Sequence, residues 1–188
     1  MKKILTIFLL CTATGGVWAA NAHHKLFSES ADGFPITPHA VLYSTYTQVQ
    51  TDGSAAQYIE LNSSYHKYGF TQVNKSTWQV TNAGIYEFCF SGIADLIQVP
   101  PADIEVWLRI NNVDIPDSNT IVAITNAVTE MTVAVCLMEE VAANSTFNMM
   151  SYSADTDTQW LYTAAGTTPT RPATPSVILT VKKISGIE

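Results

Sequence analysis

The chain has 188 residues and a formal net charge of −7, from 16 acidic and 9 basic residues. This length is typical of a single domain. No basic cluster offers the electrostatic footprint that nucleic acid requires. We therefore expect one domain and no nucleic-acid partner.

The first 22 residues are typical of a secretory signal peptide. Lys2 and Lys3 precede the apolar run ILTIFLL, and the small residues that follow favour cleavage after Ala22, with a second site after Ala19. The rival interpretation, an uncleaved membrane anchor, is disfavoured because the run is too short to span a bilayer. Since no other segment reaches transmembrane length, we expect a protein that is secreted or displayed at the cell surface, with the periplasm as a further destination.

Residues 23–40, HHKLFSESADGFPITPHA, are expected to form an extended N-terminal arm, because two prolines and a glycine interrupt any period. Cleavage after Ala22 would leave His23 at the amino terminus, where its imidazole and a free amine can chelate copper. A copper-dependent enzyme or copper-binding protein using His23 is therefore an alternative hypothesis. It needs a second histidine, for which only His39 and His66 are available; the simpler interpretation is a polar terminus without a metal.

Residues 41–188 are expected to form an all-β domain. Strand-like runs follow one another with turn residues between them, and no long stretch has a helical period, which favours a sandwich or barrel. The predicted strands cover 40–49, 58–61, 77–81, 84–95, 103–111, 121–128, 131–139, 145–153, 158–165 and 176–184. The segment TAAGTTPTRPATP, 163–175, is expected to be a loop near polyproline II.

Three of the predicted strands have two unlike faces. In GIYEFCF (84–90), MTVAVCLM (131–138) and SVILTV (176–181), one face is bulky and apolar and the reverse is small or mixed yet almost uncharged. A half-exposed strand such as DIEVWLRIN (103–111) instead alternates apolar with polar residues. A sheet of these three strands would pack its bulky apolar face on the core. Its reverse face would be covered by a surface that excludes water, and the simplest such surface is another copy of the chain.

Several segments resemble those of the C1q/tumour-necrosis-factor superfamily. GFTQVNKSTWQVTNAGIYEFCFS is similar to the family's G-x-F-x-V-P-x-x-G-x-Y-x-F signature, and AVCLMEEVAANSTFNMM to its L-x-L-x-x-G-D-x-V-x-L hairpin. VWLRINNVDIPDS resembles the strand and turn between them, and RPATPSVILTVKKI the closing strand of bacterial and phage-type C1q-like domains. The segments occur in the family's order over residues 58–184. ANS (143–145) replaces the usual Gly-Asp turn, and no collagen-like repeat precedes the domain.

The resemblance implies a ten-stranded, two-sheet jelly-roll sandwich that assembles as a compact homotrimer. In that fold the two-faced strands share the sheet that faces the threefold axis, in agreement with their pattern. The implied trimer interface comprises Ile85, Glu87, Cys89, Ala134, Cys136, Met138 and Ile178. Glu87 would then require a partner or axial water, because an isolated buried carboxylate is costly.

The resemblance also makes the strands carrying Cys89 and Cys136 antiparallel neighbours. In the register that sets these cysteines opposite each other, Phe88 faces Leu137, so apolar side chains meet on the core face. A disulfide between Cys89 and Cys136 is therefore a hypothesis that export permits. Two buried free thiols are the alternative.

In the family, loops and outer-sheet residues meet ligands. The residues predicted here to bind a ligand and to be mostly accessible are Trp107, Arg109, Asp114, Asp155, Asp157 and Trp160. Asp155 and Asp157 could hold calcium, but the rest of a calcium-loop pattern is missing and a solvated loop is the simpler interpretation. No other cofactor or metal is expected.

The sequence lacks the common catalytic signatures. It has no G-x-S-x-G, no H-E-x-x-H and no glycine-rich phosphate loop, so no enzymatic activity is expected. The sequence is interpreted as a secreted, non-catalytic, trimeric C1q-like binding or surface-structural module. Its expected partners are its own copies and a glycan or surface protein. The alternative is a phage-type or cell-surface fibre head that binds a glycan.

Overall fold

The computed structural model describes residues 36–97, 101–125 and 130–185. The signal peptide predicted over 1–22, the first part of the predicted arm and His23 lie outside these ranges. The first strand begins at His39, so the last two residues of the predicted arm already belong to the β-domain.

The described residues form β-strands and no helix. In chain order the strands are β1 His39–Tyr43, β2 Gln48–Val49, β3 Gln57–Tyr58, β4 Ser63–Tyr68, β5 Phe70–Gln72, β6 Trp78–Val80, β7 Gly84–Leu96, β8 Ala102–Ile110, β9 Val113–Asp114, β10 Thr120–Ile124, β11 Met131–Val141, β12 Thr146–Tyr152, β13 Thr158–Trp160, β14 Gly166–Thr167, β15 Thr170–Arg171 and β16 Val177–Ser185. The count exceeds the expected ten because many of these strands span only two or three residues.

Two antiparallel seven-stranded sheets make a sandwich, which confirms the predicted all-β class. The first, called sheet I, has the order β2-β13-β7-β16-β1-β4, with β11 paired to β7. The second, sheet II, has the order β10-β8-β12-β6-β5, with β3 paired to β12 and β9 to β8. Strands β14 and β15 form a separate small ribbon.

Alternate side chains of both sheets fill the core between them. The longest strand, β7, buries every second residue from Gly84 to Leu96, and β8 does the same from Ala102 to Ile110. Aromatic rings join the layers: Phe88 of sheet I meets Phe147 of sheet II edge to face, with ring centres 5.3 Å apart. This period of two is what the alternating sequence pattern predicts.

The register between β7 and β11 is the one expected from the sequence. Phe88 lies opposite Leu137, and Cys89 lies opposite Cys136. A slip of one residue would exchange the two faces of β11 and send its apolar side chains away from the core.

Several segments differ from the sequence-based predictions. The predicted strand 40–49 is divided into β1 and β2, and β5 and β9 lie in segments where no strand was predicted. Strand β4, SSYHKY, pairs with β1 at the edge of sheet I but was not predicted, because its polar and aromatic residues show no alternation. The segment 163–175, predicted as a loop near polyproline II, instead contains the β14–β15 ribbon and a bridge between Thr163 and Thr174. Backbone hydrogen bonds therefore hold this segment where an open conformation was expected.

Candidate functional site

The outer face of sheet I consists of the side chains that β11, β7, β16, β1 and β4 turn away from the core. Three rows cross it: Ala134, Ser91, Ile178, Tyr43 and Ser63; Cys136, Cys89, Thr180, Val41 and Tyr65; and Met138, Glu87, Lys182, His39 and Tyr68. Ile85 continues the same face along β7. The structure thus places all seven residues of the predicted trimer interface on one surface.

The two edges of this face differ in chemistry. At the β4 edge, Tyr43 and Tyr65 have ring centres 5.7 Å apart, and Tyr68 lies exposed beside them. At the β11 edge, Met138 is 63% exposed, which is unusual for so apolar a side chain. In one isolated chain, therefore, both edges leave large apolar or aromatic groups in water.

A disulfide lies in the middle row of the face. Cys89 on β7 is bonded to Cys136 on β11, with Cα atoms 4.1 Å apart. The bond ties the edge strand β11 to the centre of sheet I across 47 residues of sequence. The sulfur atoms face outward with the other residues of the rows and take no part in the core.

On sheet II, three of the predicted ligand-binding residues form one hydrogen-bonded cluster. The carboxylate of Asp114 accepts hydrogen bonds from Trp107 Nε1 at 2.7 Å, Arg109 Nε at 2.7 Å and Arg109 Nη2 at 3.1 Å. Trp107 and Arg109 share the outer side of β8, and β9 folds back to bring Asp114 beside them. The short β8–β9 hairpin is what assembles this cluster.

Tyr58 completes the cluster and was missed by the sequence analysis. Its ring centre lies 5.7 Å from the guanidinium carbon of Arg109, within cation–π distance. Tyr58 reaches this position because β3 and β8 both pair with β12 at Met150. The alternation of Tyr58 and Glu60 with the buried Ile59 and Leu61 was a signal that could have identified Tyr58 as outward-facing.

The ion pair in this cluster shifts the pKa values of both Asp114 and Arg109. The hydrogen bonds from Arg109 hold the pKa of Asp114 below its usual value, against a smaller opposing effect of burial. The same hydrogen bonds raise the pKa of Arg109. The cluster is therefore a fixed arrangement of charge at neutral pH, with an indole and a phenol beside it.

Trp160 was predicted to be an accessible ligand-binding residue, and the predicted accessibility is wrong. Its side chain is 1% exposed, its Nε1 donates to Ser151 Oγ at 3.1 Å, and its ring meets Phe90 edge to face. The cause is the pairing of β13 with β7 at Ala94, which turns Trp160 toward the core. A Cβ atom at Gly92 would lie 2.7 Å from this ring, so the strand beneath it accommodates only glycine without a shift.

Asp155 and Asp157 lie apart from the Asp114 cluster, in the turn between β12 and β13. Asp155 Oδ1 accepts the backbone N–H of Asp157 at 2.8 Å, which is the pattern of an Asx turn. Both residues are half-buried, less accessible than predicted, and the same is true of Trp107 and Arg109; Asp114 is exposed as predicted. Asp155 also lines an open cavity of about 600 Å³ whose wall includes Asp103, Glu105 and Tyr152.

Within residues 36–97, 101–125 and 130–185, no three His, Cys, Asp or Glu side chains converge as a metal-ligand set. The same ranges contain no helix long and apolar enough to cross a membrane. The proposed copper ligand His23 lies outside them.

Comparison with known proteins identifies the fold. No protein-family model and no curated protein matches the sequence. Among solved structures, the globular domain of zebrafish complement 1qA matches with a TM-score of 0.52 and 10% identity, over 80% of this chain and 99% of that one. The chain has the C1q/tumour-necrosis-factor jelly-roll fold. Murine APRIL matches with a TM-score of 0.47 and 11% identity, over 78% and 98% of the two chains. At these identities the likeness concerns the fold alone.

Proposed function

We propose that the chain is a secreted, non-catalytic binding module that works as a homotrimer, with the outer face of sheet I buried between its copies. The observation that carries this proposal is the chemistry of that face. Within its three rows only Glu87 and Lys182 carry a formal charge, and they lie opposite each other on β7 and β16. Where the face continues beyond the rows at Ile85, it also carries Glu140, opposite Ile85 on β11. A sheet face left in water is usually more polar, whereas the cores of interfaces are depleted in charge and enriched in Tyr and Met.

The unlike edges of the face suit a head-to-tail contact. The tyrosines at the β4 edge of one copy would pack on Met138 and the disulfide at the β11 edge of the next. Contacts of this kind close into a ring when the rotation between copies permits, and the C1q/TNF resemblance implies closure at three. In such a ring Glu87 would have Lys182 of its own chain as the nearest opposed charge.

Two features support export to an oxidising space. The first 22 residues have the composition of a signal peptide, and the mature domain carries the Cys89–Cys136 disulfide. Disulfides persist in secreted, periplasmic and surface proteins and are rare in the cytosol.

Charge insertion on the face tests the trimer. Met138→Glu would place an unpaired carboxylate against the tyrosines of the next copy, and we expect it to sediment as a monomer, since buried unpaired charge is costly. Val113→Glu is the matched control, because Val113 on sheet II is 64% exposed against 63% for Met138. We expect the control to sediment like the unsubstituted protein. Equal sedimentation of all three proteins would argue against the interface.

A second candidate function is a phage-type or cell-surface fibre head that binds a glycan. The Asp114 cluster favours it, because apolar ring surface stands beside polar groups of fixed orientation, as in many ligand sites. This role is compatible with the trimer, since the cluster lies on sheet II and leaves the outer face of sheet I free.

The copper hypothesis stays open to a direct test. Amino-terminal sequencing of the secreted protein shows whether His23 becomes the first residue, and a copper titration of that protein shows whether it binds the metal. A mature chain that starts at another residue would remove the hypothesis.

A further inference from the structure

The Cys89–Cys136 disulfide has two unequal ends on the outer face of sheet I. Among the described residues, β11 pairs with β7 alone, whereas β7 pairs with β11 on one side and with β16 on the other. Cys136 therefore lies on an edge strand and is exposed, and Cys89 lies on a central strand and is half-buried. In a single chain, one end of the bond is thus open to water and the other is flanked by strands on both sides.

The side chains next to Cys136 leave room for a small reagent. Its neighbours on the same face of β11 are Ala134, which is small and exposed, and Met138, which is unbranched and 63% exposed. Neither carries a charge, and the charged residues of the three rows, Glu87 and Lys182, lie in the next row. A neutral thiol can therefore reach Cys136 without displacing any residue of the core.

The path of attack distinguishes the two sulfur atoms. A thiolate attacks a disulfide from the side opposite the leaving sulfur, so access along that line decides which sulfur reacts. Because the bond joins neighbouring strands, the line to Cys136 Sγ starts beyond the free edge of β11. The line to Cys89 Sγ instead passes over β16, where Thr180 lies opposite Cys89. Attack is therefore favoured at Cys136.

We propose that Cys136 Sγ is a thiol-exchange site, which takes a dithiol in a dissociated copy of the chain and is closed in the trimer. The thiolate of the dithiol forms a bond to Cys136 Sγ, the bond between the two cysteines breaks, and Cys89 Sγ leaves as a thiolate that takes a proton from water. The second thiolate of the reagent then attacks its own sulfur in the mixed disulfide and releases Cys136, which is protonated in turn. The protein gains two electrons and two protons, and the dithiol is oxidised to a cyclic disulfide.

Assembly closes this path, so the inference rests on the proposed trimer and names a regulation of the same face. In the proposed head-to-tail contact, the tyrosines of the β4 edge pack on Met138 and the disulfide of the next copy. The free edge of β11 is then covered, and a dithiol reaches Cys136 only in copies that have dissociated. An assembled chain keeps its disulfide, whereas an unassembled copy that meets a dithiol loses the covalent tie between β11 and β7.

The rate of reduction tests this shielding. The probe is dithiothreitol, added in large excess to the mature full chain at a protein concentration where light scattering shows the trimer. Samples are quenched with acid at intervals, and the free thiols are counted after denaturation. Because only dissociated copies react, the rate falls with their fraction, so a trimer with less than about one tenth of its copies dissociated reacts more than about tenfold slower than a monomer.

Two variants and one control make the comparison. Tyr65→Glu charges the far edge of the face, where Tyr65 is 52% exposed, and leaves the surroundings of Cys136 unchanged. We expect it to be a monomer and to react at least about tenfold faster than the unsubstituted protein. Met138→Glu should react faster than the unsubstituted protein but slower than Tyr65→Glu, because its carboxylate repels the incoming thiolate. Val113→Glu, on sheet II, should react like the unsubstituted protein.

Peptide mapping identifies the attacked sulfur. The Tyr65→Glu protein is treated briefly with the monothiol 2-mercaptoethanol and then with excess iodoacetamide, so that the attacked cysteine carries the mercaptoethanol and the freed cysteine is alkylated. We expect the mercaptoethanol on Cys136 and the alkyl group on Cys89. The reverse labelling would overturn the assignment of Cys136.

Light scattering on the same samples separates the shielding from the trimer itself. A trimer that dithiothreitol reduces as fast as the Tyr65→Glu monomer would overturn the shielding and leave the trimer standing. An unsubstituted protein that is a monomer and reacts as fast as Tyr65→Glu would refute the trimer and the shielding together. Slow reduction of the trimer with fast reduction of both variants is the result that the inference requires.

Discussion

Removing the Cys89–Cys136 disulfide should destabilise the domain strongly. The bond closes a loop of 47 residues. By the chain-entropy relation a loop of this length contributes about 4 kcal/mol at 25 °C, mainly by restricting the unfolded chain. Since small domains are stable by only about 5–15 kcal/mol, this is a large share. For a domain of about 150 residues it corresponds to a fall in thermal midpoint of roughly 8–16 °C.

The measurement is urea unfolding of the double variant Cys89→Ala/Cys136→Ala, followed by fluorescence of the buried Trp78 and Trp160. Both proteins should carry Met138→Glu, so that a change in assembly does not add to the change in folding free energy. Reductant should lower the stability of the protein that keeps its cysteines and leave the double variant unchanged. A loss below about 1 kcal/mol would show that the chain-entropy argument fails for this loop.

Three further predictions concern the core and the Asp114 cluster. Asp114→Asn should make the free energy of unfolding depend less on pH in the acid range. The pKa of Asp114 in the folded protein lies below its usual 3.8, so its pairing with Arg109 contributes its full stability above pH 3.8 and loses it as the pH falls through the lower, folded pKa. Acid unfolding of both proteins measures the difference. Trp160→Ala should cost about 3–5 kcal/mol in urea unfolding and Trp107→Ala only about 1 kcal/mol, and equal losses would contradict the assignment of Trp160 to the core. Gly92→Ala should lower the thermal midpoint, because its Cβ would lie 2.7 Å from the Trp160 ring, and an unchanged midpoint would mean that the ring moves freely.

The register of the central strands could be predicted because the family resemblance made β7 and β11 antiparallel neighbours and their side chains then constrained the alignment. A slip of one residue would set the core face of one strand against the outer face of the other, and the register chosen among those that match the faces is the one that sets Cys89 opposite Cys136. In long strands such as these, several residue pairs independently favour the same register.

Short strands carry too little pattern for the same reasoning. Strand β13 has only three residues, TQW. From these alone it cannot be predicted whether the side chain of Trp160 faces the core or the solvent; the pairing of β13 with β7 decides this. Strand β4 was missed because edge strands tolerate polar residues on both faces.

Light scattering on the mature, unsubstituted protein at micromolar concentration tests whether the chain assembles as a trimer. If other copies of the chain cover the outer face of sheet I, with its exposed Met138 and tyrosines, the mass will be three times that of one mature chain and will stay so on dilution across the micromolar range. A stable monomer at these concentrations would contradict the proposed trimer.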